Sequence, residues 1–120
     1  MKIIQMLIPV HLTVTRPGIP MKPKFITIHE TDNTRNGANA LAHAKLQQRG
    51  NDRQASWHFT VDSGDNVYQS LPTNEISWNA GDGGGPGNFE SISIEICVNP
   101  DGDFSKAKAN ALELVTSLMA

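Results

Sequence analysis

The run Ile92-Ser93-Ile94-Glu95-Ile96-Cys97-Val98 restricts the fold more than any other part of the chain. Successive side chains of a strand point to opposite faces, so this period of two puts Ile92, Ile94 and Ile96 on one face and Ser93, Glu95 and Cys97 on the other. The isoleucine face must be core, and the fold must therefore supply an apolar layer to cover it. On the opposite face, a glutamate in an otherwise apolar strand costs free energy if it is buried unpaired, so Glu95 needs either a partner or a task.

Other segments give the layers. Lys24-Phe25-Ile26-Thr27-Ile28-His29 is short, apolar and β-branched, and predicts a buried strand ending at His29, after a turn-rich lead-in at Arg16-Pro17-Gly18-Ile19-Pro20. Residues 38–49 are rich in alanine, leucine, lysine and glutamine, which predicts a helix capped by Asn36 and closed by a left-handed Gly50. Residues 56–61 and 66–71 flank Asp62-Ser63-Gly64-Asp65 and predict a β-hairpin in which Gly64 can take positive φ. The glycine-rich stretch from Trp78 to Asn88 reads as a loop. From Phe104 to Met119, the residues Ala107, Ala111, Leu114, Val115 and Leu118 fall on one helical face, with Asp103 placed as the cap. Strands alternating with helices over 120 residues indicate one mixed α/β layered domain, without internal repeats.

Charge excludes some partners. A formal net charge of -2 predicts no sequence-independent grip on nucleic acid or on an anionic membrane. Nowhere do eighteen apolar residues run together, so no membrane span is expected, and the first fourteen residues, interrupted by Gln5, Pro9 and His11, do not read as a signal peptide. The single cysteine, Cys97, has no internal disulfide partner and reads as core.

Three strands each carry a polar stripe: Thr27 and His29, His58 and Thr60, Ser93 and Glu95. If the stripes share one side of the sheet, His29, His58 and Glu95 converge on a cleft, and a histidine beside a carboxylate suits metal-assisted hydrolysis. Each residue also has a plainer explanation. A histidine at a strand end is more often hydrogen-bonded or solvated than metal-bound, His58 suits local pairing within the sheet, and His43 suits the surface or packing of its helix. Neither H-x-x-x-H nor C-x-x-C spacing occurs, so any three-ligand zinc set would have to be gathered across the fold.

Taken in order, four segments resemble the type 2 family of N-acetylmuramoyl-L-alanine amidases, in particular the amidase domains of phage and prophage endolysins. Phe25-Ile26-Thr27-Ile28-His29-Glu30-Thr31 is similar to the family's first zinc-ligand strand, and Ser56-Trp57-His58-Phe59-Thr60-Val61-Asp62 to its second strand. Trp78-Asn79-Ala80-Gly81-Asp82-Gly83 resembles the substrate-side loop, and Gly87-Asn88-Phe89-Glu90-Ser91-Ile92-Ser93-Ile94-Glu95-Ile96-Cys97 the strand after it. The resemblance implies a central twisted mixed β-sheet flanked by helices, as in peptidoglycan recognition proteins. It also implies zinc as cofactor, with His29 as a ligand and Glu95 as the general acid or base. Trp57, His58, Trp78, Asn79, Gly81, Asp82 and Asn88 would contact the substrate, bacterial peptidoglycan. Cutting would fall between the N-acetylmuramic acid lactyl group and L-alanine, at the cell wall, after export or lysis.

The family's remaining ligands, a histidine and then a cysteine or aspartate, follow the long helix, where this chain has ended. Residues 1–120 are thus expected to be a catalytic domain lacking its C-terminal segment, with an incomplete zinc site, reduced or absent activity, and uncovered apolar surface that favours self-association. The competing expectation is a non-catalytic module of the same fold that binds peptidoglycan without cutting it.

Overall fold

Five strands and three helices make up the computed structural model, which describes all residues, 1–120. In chain order they are β1 (Lys2–Gln5), β2 (Phe25–Glu30), α1 (Ala40–Arg49), β3 (Phe59–Val61), β4 (Asn66–Gln69), α2 (Pro86–Phe89), β5 (Ser91–Ile96) and α3 (Phe104–Met119). The strands form one sheet in the order β1-β4-β3-β5-β2. Only β3 and β4, joined by a short turn, are antiparallel; β1 with β4, β3 with β5 and β2 with β5 are parallel and need longer crossovers. The mixed α/β layering expected from the alternation of patterns is therefore observed.

On β5 the isoleucines pack as their spacing requires. Ile94 is fully buried, and Ile92 and Ile96 nearly so, in a cluster with Phe59 and Val61 from β3 and Ala107, Ala111 and Leu114 from α3. Two alanines on the contact stripe let α3 approach closely, and Leu114 fills the space between them and the sheet. Burying a side chain of isoleucine size stabilises by roughly 1.5–3 kcal/mol, so this face dominates the stability of the domain.

Helix α1 lies over the other face. Its Gln47 is buried and binds the Trp57 backbone twice: Nε2 donates to the Trp57 carbonyl (3.3 Å), and the Trp57 N–H donates to Oε1 (3.1 Å). This pins the approach to β3 beneath α1.

Several local details differ from the sequence reading. The cap of α1 is Asn39, whose Oδ1 accepts from the Ala42 N–H, and not Asn36. Residues 36–38 stay outside the helix because Gly37 is left-handed (φ 80°) and its N–H is held by the Asp101 carboxylate. In the β3–β4 turn Gly64 is not left-handed; the turn is held by Asp62, whose Oδ1 accepts from the Gly64 N–H (2.8 Å) while Oδ2 accepts from the first helical N–H of α1, at Ala40 (2.9 Å). The strand β1 carries no period-two pattern, being an edge strand with Lys2 and Ile3 exposed. The glycine-rich loop contains the one-turn helix α2, started by Pro86 at its first position. Asp103 caps α3, accepting from the Lys106 N–H, as the pattern predicts.

Candidate active site

The polar face of β5 is divided into three zones by what lies over it. At its start, Ser91 and Ser93 sit under the loop of residues 77–88: the Ser91 hydroxyl donates to the Gly87 carbonyl (2.6 Å), and the Ser93 and Ser77 hydroxyls bond each other (2.9 Å). Just beyond its end, Cys97 lies under α1, with its sulfur 3.9 Å from His43 Nδ1. Glu95 falls between the two covers and lines a polar cleft of about 530 Å3, with Trp57, Trp78, Asn79, Asp32 and His43 among its walls.

His29 and Glu95 are register partners across the parallel pair of β2 and β5, so their side chains leave the sheet on the same side. Asn79 links His29 to the cleft wall. Its amide nitrogen donates to Ser77 Oγ (3.0 Å) and the Gly87 carbonyl (2.8 Å), which leaves Oδ1 to accept from His29 Nε2 (3.3 Å). The His29 ring is thereby held with its Nε2 toward the loop.

Glu95 has no such support. Its Oε2 is buried without a hydrogen-bond partner, and no cation pairs with it. Burial pushes its carboxyl up to about 7, and the negative charge of Asp32 acts in the same direction. A carboxyl balanced between its two forms near neutrality can both accept and return a proton. Asp32 is also the one non-glycine residue with a left-handed backbone (φ 56°), a conformation asparagine and aspartate tolerate best.

The other expected site residues fall into two groups. Trp57, Trp78 and Asn79 line the cleft with Glu95, and Trp78 also borders an adjoining hollow walled by Gly81, Gly83, Gly84, Asn88 and Phe89. Asp82 and Asn88 build that loop instead of projecting from it. The two oxygens of Asp82 accept from the N–H groups of Gly87 and Asn88 (2.8 and 3.1 Å). Asn88 is buried, and its Oδ1 accepts from the Asn79 and Ala80 N–H groups (2.9 and 2.8 Å). Gly87 is required there, since a Cβ would collide with Ala80 and Asp82.

His58 is not brought to the cleft. It shares the polar side of the sheet but is fully buried, with Nδ1 accepting from the Ser93 N–H (3.0 Å) and Nε2 donating to the Glu75 carbonyl (2.7 Å). Burial holds the ring neutral by lowering its pKa to about 4. The position expected to touch substrate is therefore an internal brace, because both ring nitrogens are already committed. Cys97 is core as expected, its thiol pushed up to about 12 by burial. His43 packs edge-on against Trp57 and also reaches the cleft wall, a role its helical position alone does not reveal.

The cleft thus joins one desolvated carboxyl to a neighbouring imidazole under aromatic walls. The comparisons with known proteins are specific. The model of the N-acetylmuramoyl-L-alanine amidase family matches residues 19–120, and the chain belongs to that family. It is 55% identical over 118 residues to the N-acetylmuramoyl-L-alanine amidase XlyA of Bacillus subtilis (strain 168), covering 98% of this chain and 39% of XlyA. It is 53% identical over 105 residues to CwlH, an amidase of the same organism, covering 87% of this chain and 41% of CwlH. The chain thus spans about two fifths of the length of these curated relatives. The solved catalytic domain of XlyA superposes with a TM-score of 0.93 at 54% identity, over 99% of this chain and 76% of that one.

Proposed function

We propose that this chain acts in hydrolysis of the amide bond joining the lactyl group of N-acetylmuramic acid to L-alanine in peptidoglycan, as an endolysin or autolysin domain working at the cell wall. The observation that carries the reading is Glu95: a carboxyl near neutrality, unpaired, in the cleft beside His29. Family membership and likeness to named amidases supply the bond that is cut.

In this reading a water molecule bound in the cleft attacks the amide carbonyl carbon while the Glu95 carboxylate takes its proton. The carbon–nitrogen bond then breaks, and Glu95 returns the proton to the departing alanine nitrogen, leaving a lactyl carboxylate and a free amino terminus. Trp57, Trp78 and Asn79 hold the substrate and limit competing water. No helix is long and apolar enough to cross a membrane.

Zinc chemistry needs more than these residues provide. A catalytic zinc commonly takes three protein ligands, and no group of three or more histidine, cysteine, aspartate or glutamate side chains comes together in this chain. The reasons are visible residue by residue. His29 is the one expected ligand and stands at the site, whereas His58 has both nitrogens engaged and Cys97 is buried as a thiol, so neither can join it. The residues present do not make a zinc site, and a complete set would have to draw on side chains outside them. That shortfall is what favours the second reading, a module that binds peptidoglycan without cutting it.

The two separate in one experiment. Purified cell walls are incubated with the chain, with and without added zinc or a chelator, and new L-alanine amino termini are counted. Release that disappears in Glu95→Gln supports the amidase, whereas retention on walls without release supports the binding module. Full activity in Glu95→Gln would remove the proton-transfer role of Glu95.

A further inference from the structure

The entry to α1 holds a reactive dipeptide. Asn36-Gly37 is the one asparagine-glycine pair in the chain, and glycine, having no Cβ, leaves its nitrogen open to the carbonyl carbon of the asparagine side chain. The fold asks for glycine at 37, because its φ of 80° would strain any residue with a side chain. It does not ask for asparagine at 36. That residue is exposed and its amide makes no hydrogen bond, whereas Asn33 and Asn39 on either side accept from backbone N–H groups. No atom lies within 4 Å of where a Cβ of Gly37 would stand, so the surroundings leave room for a ring.

Opposite the pair stands Asp101. Its two oxygens accept from the Gly37 N–H (3.0 and 3.1 Å), and Oδ1 also accepts from the Asn99 amide (2.9 Å). These donors, Asn99 first, hold the Asp101 carboxyl below the usual carboxylate range, so at neutral pH it is ionised and too weak a base to remove the Gly37 proton.

We infer that Asn36 is a site of spontaneous deamidation and that Asp101 restrains it. The Gly37 nitrogen attacks Asn36 Cγ, the bond from Cγ to the side-chain nitrogen breaks, and ammonia leaves with the proton that the Gly37 nitrogen gives up. Water then opens the cyclic imide at either carbonyl, giving aspartate or the β-linked isoaspartate, and nothing is oxidised or reduced. Asp101 slows the first step because the nitrogen must shed its proton, and the carboxylate stabilises the N–H. Either product sets a second carboxylate near Asp101, and the β-linked one also lengthens the backbone between 36 and 37. Gly37 then loses its anchor, which loosens the cleft wall from Asn33 to His43. This holds whether the cleft cuts peptidoglycan or only binds it.

The test incubates the whole chain, its Asp101→Ala and Asn36→Ser variants and a synthetic peptide of residues 33–40 in mildly alkaline buffer, and maps each gain of about 1 Da to its residue by mass spectrometry. The wild type should react at Asn36 about tenfold more slowly than the peptide, and Asp101→Ala should recover about that factor, the equivalent of one hydrogen bond to a charged group. Asn36→Ser should show no gain at position 36. Hydrogen exchange separates this from a general loss of fold: the Gly37 N–H should exchange faster in Asp101→Ala, while the Ser70 N–H, bonded to the His58 carbonyl (2.9 Å or less), should not change. No reaction at Asn36 in either the wild type or Asp101→Ala overturns the site. Equal rates in those two, or a Ser70 N–H loosened as much as that of Gly37, overturns the restraint by Asp101.

Discussion

The two faces of β5 obey different rules. On one, Ile92, Ile94 and Ile96 are packed against α3, every group is apolar, and burial alone accounts for their identity. On the other, the polar groups of Ser91 and Ser93 are matched one by one to neighbours, Ser93 with His58 from the approach to β3, whereas Glu95 keeps a buried oxygen without a partner. A structural strand has no reason to keep that defect. The contrast separates residues held for stability from one that costs stability, and such a cost is expected where chemistry is done.

The largest effect should come from the apolar face. Ile94→Ala removes a fully buried side chain between β3, α3 and the sheet, and should destabilise by about 4 kcal/mol with no change in the chemistry of the cleft. Urea unfolding measures it, and a loss below about 1 kcal/mol would mean that the isoleucine face is not the main support.

His58 gives the next effect. Its folded pKa is lowered from 6.5 to about 4, so the folded protein takes up its proton less readily than the unfolded chain. The stability from the neutral, braced ring is complete above pH 6.5 and is lost as pH falls toward 4, by at most roughly 3 kcal/mol. The stability gap between wild type and His58→Gln should therefore narrow over that range. A gap independent of pH would show that the ring does not titrate with folding.

Glu95 has the opposite sign. Its folded pKa is raised from 4.5 to about 7, so its contribution to stability is intact below pH 4.5 and lost as pH rises through 7. Glu95→Gln should be more stable than wild type at pH 8, by on the order of 2 kcal/mol after allowing for solvent screening, and the advantage should vanish at pH 4. An equally destabilised variant at both pH values would place Glu95 among ordinary packing residues. The smallest effect belongs to Asn39→Ala, which should cost about 1 kcal/mol through loss of the α1 cap, seen as a small shift in thermal midpoint.

How legible these regions were in the sequence follows from the same contrast. The strand β5 and the helix α3 could be read because each has one side in the core and another outside it, which imposes a period on the residues. The face shared by His29 and Glu95 followed from that period once the strands were known to pair in register. By contrast β1, an exposed edge strand, carries no period, and Asn39 could not be told from Asn36 until the Gly37 conformation and its Asp101 contact were seen. The cleft wall from Asp32 to Arg35 and from Asn51 to Arg53 lies in irregular loops, where tertiary packing decides which side chain faces inward. His58 shows the reverse error: a polar stripe identifies a face of the sheet but does not say whether that face is open or covered.

The most direct check is the ionisation of Glu95 itself, followed by carbon-13 NMR of the side-chain carboxyl as pH is varied. A midpoint near 7, falling when Asp32 is changed to asparagine, is what the account predicts. A midpoint near the ordinary 4.5 would contradict it, because Glu95 would then be a solvated surface carboxylate with no cost to explain.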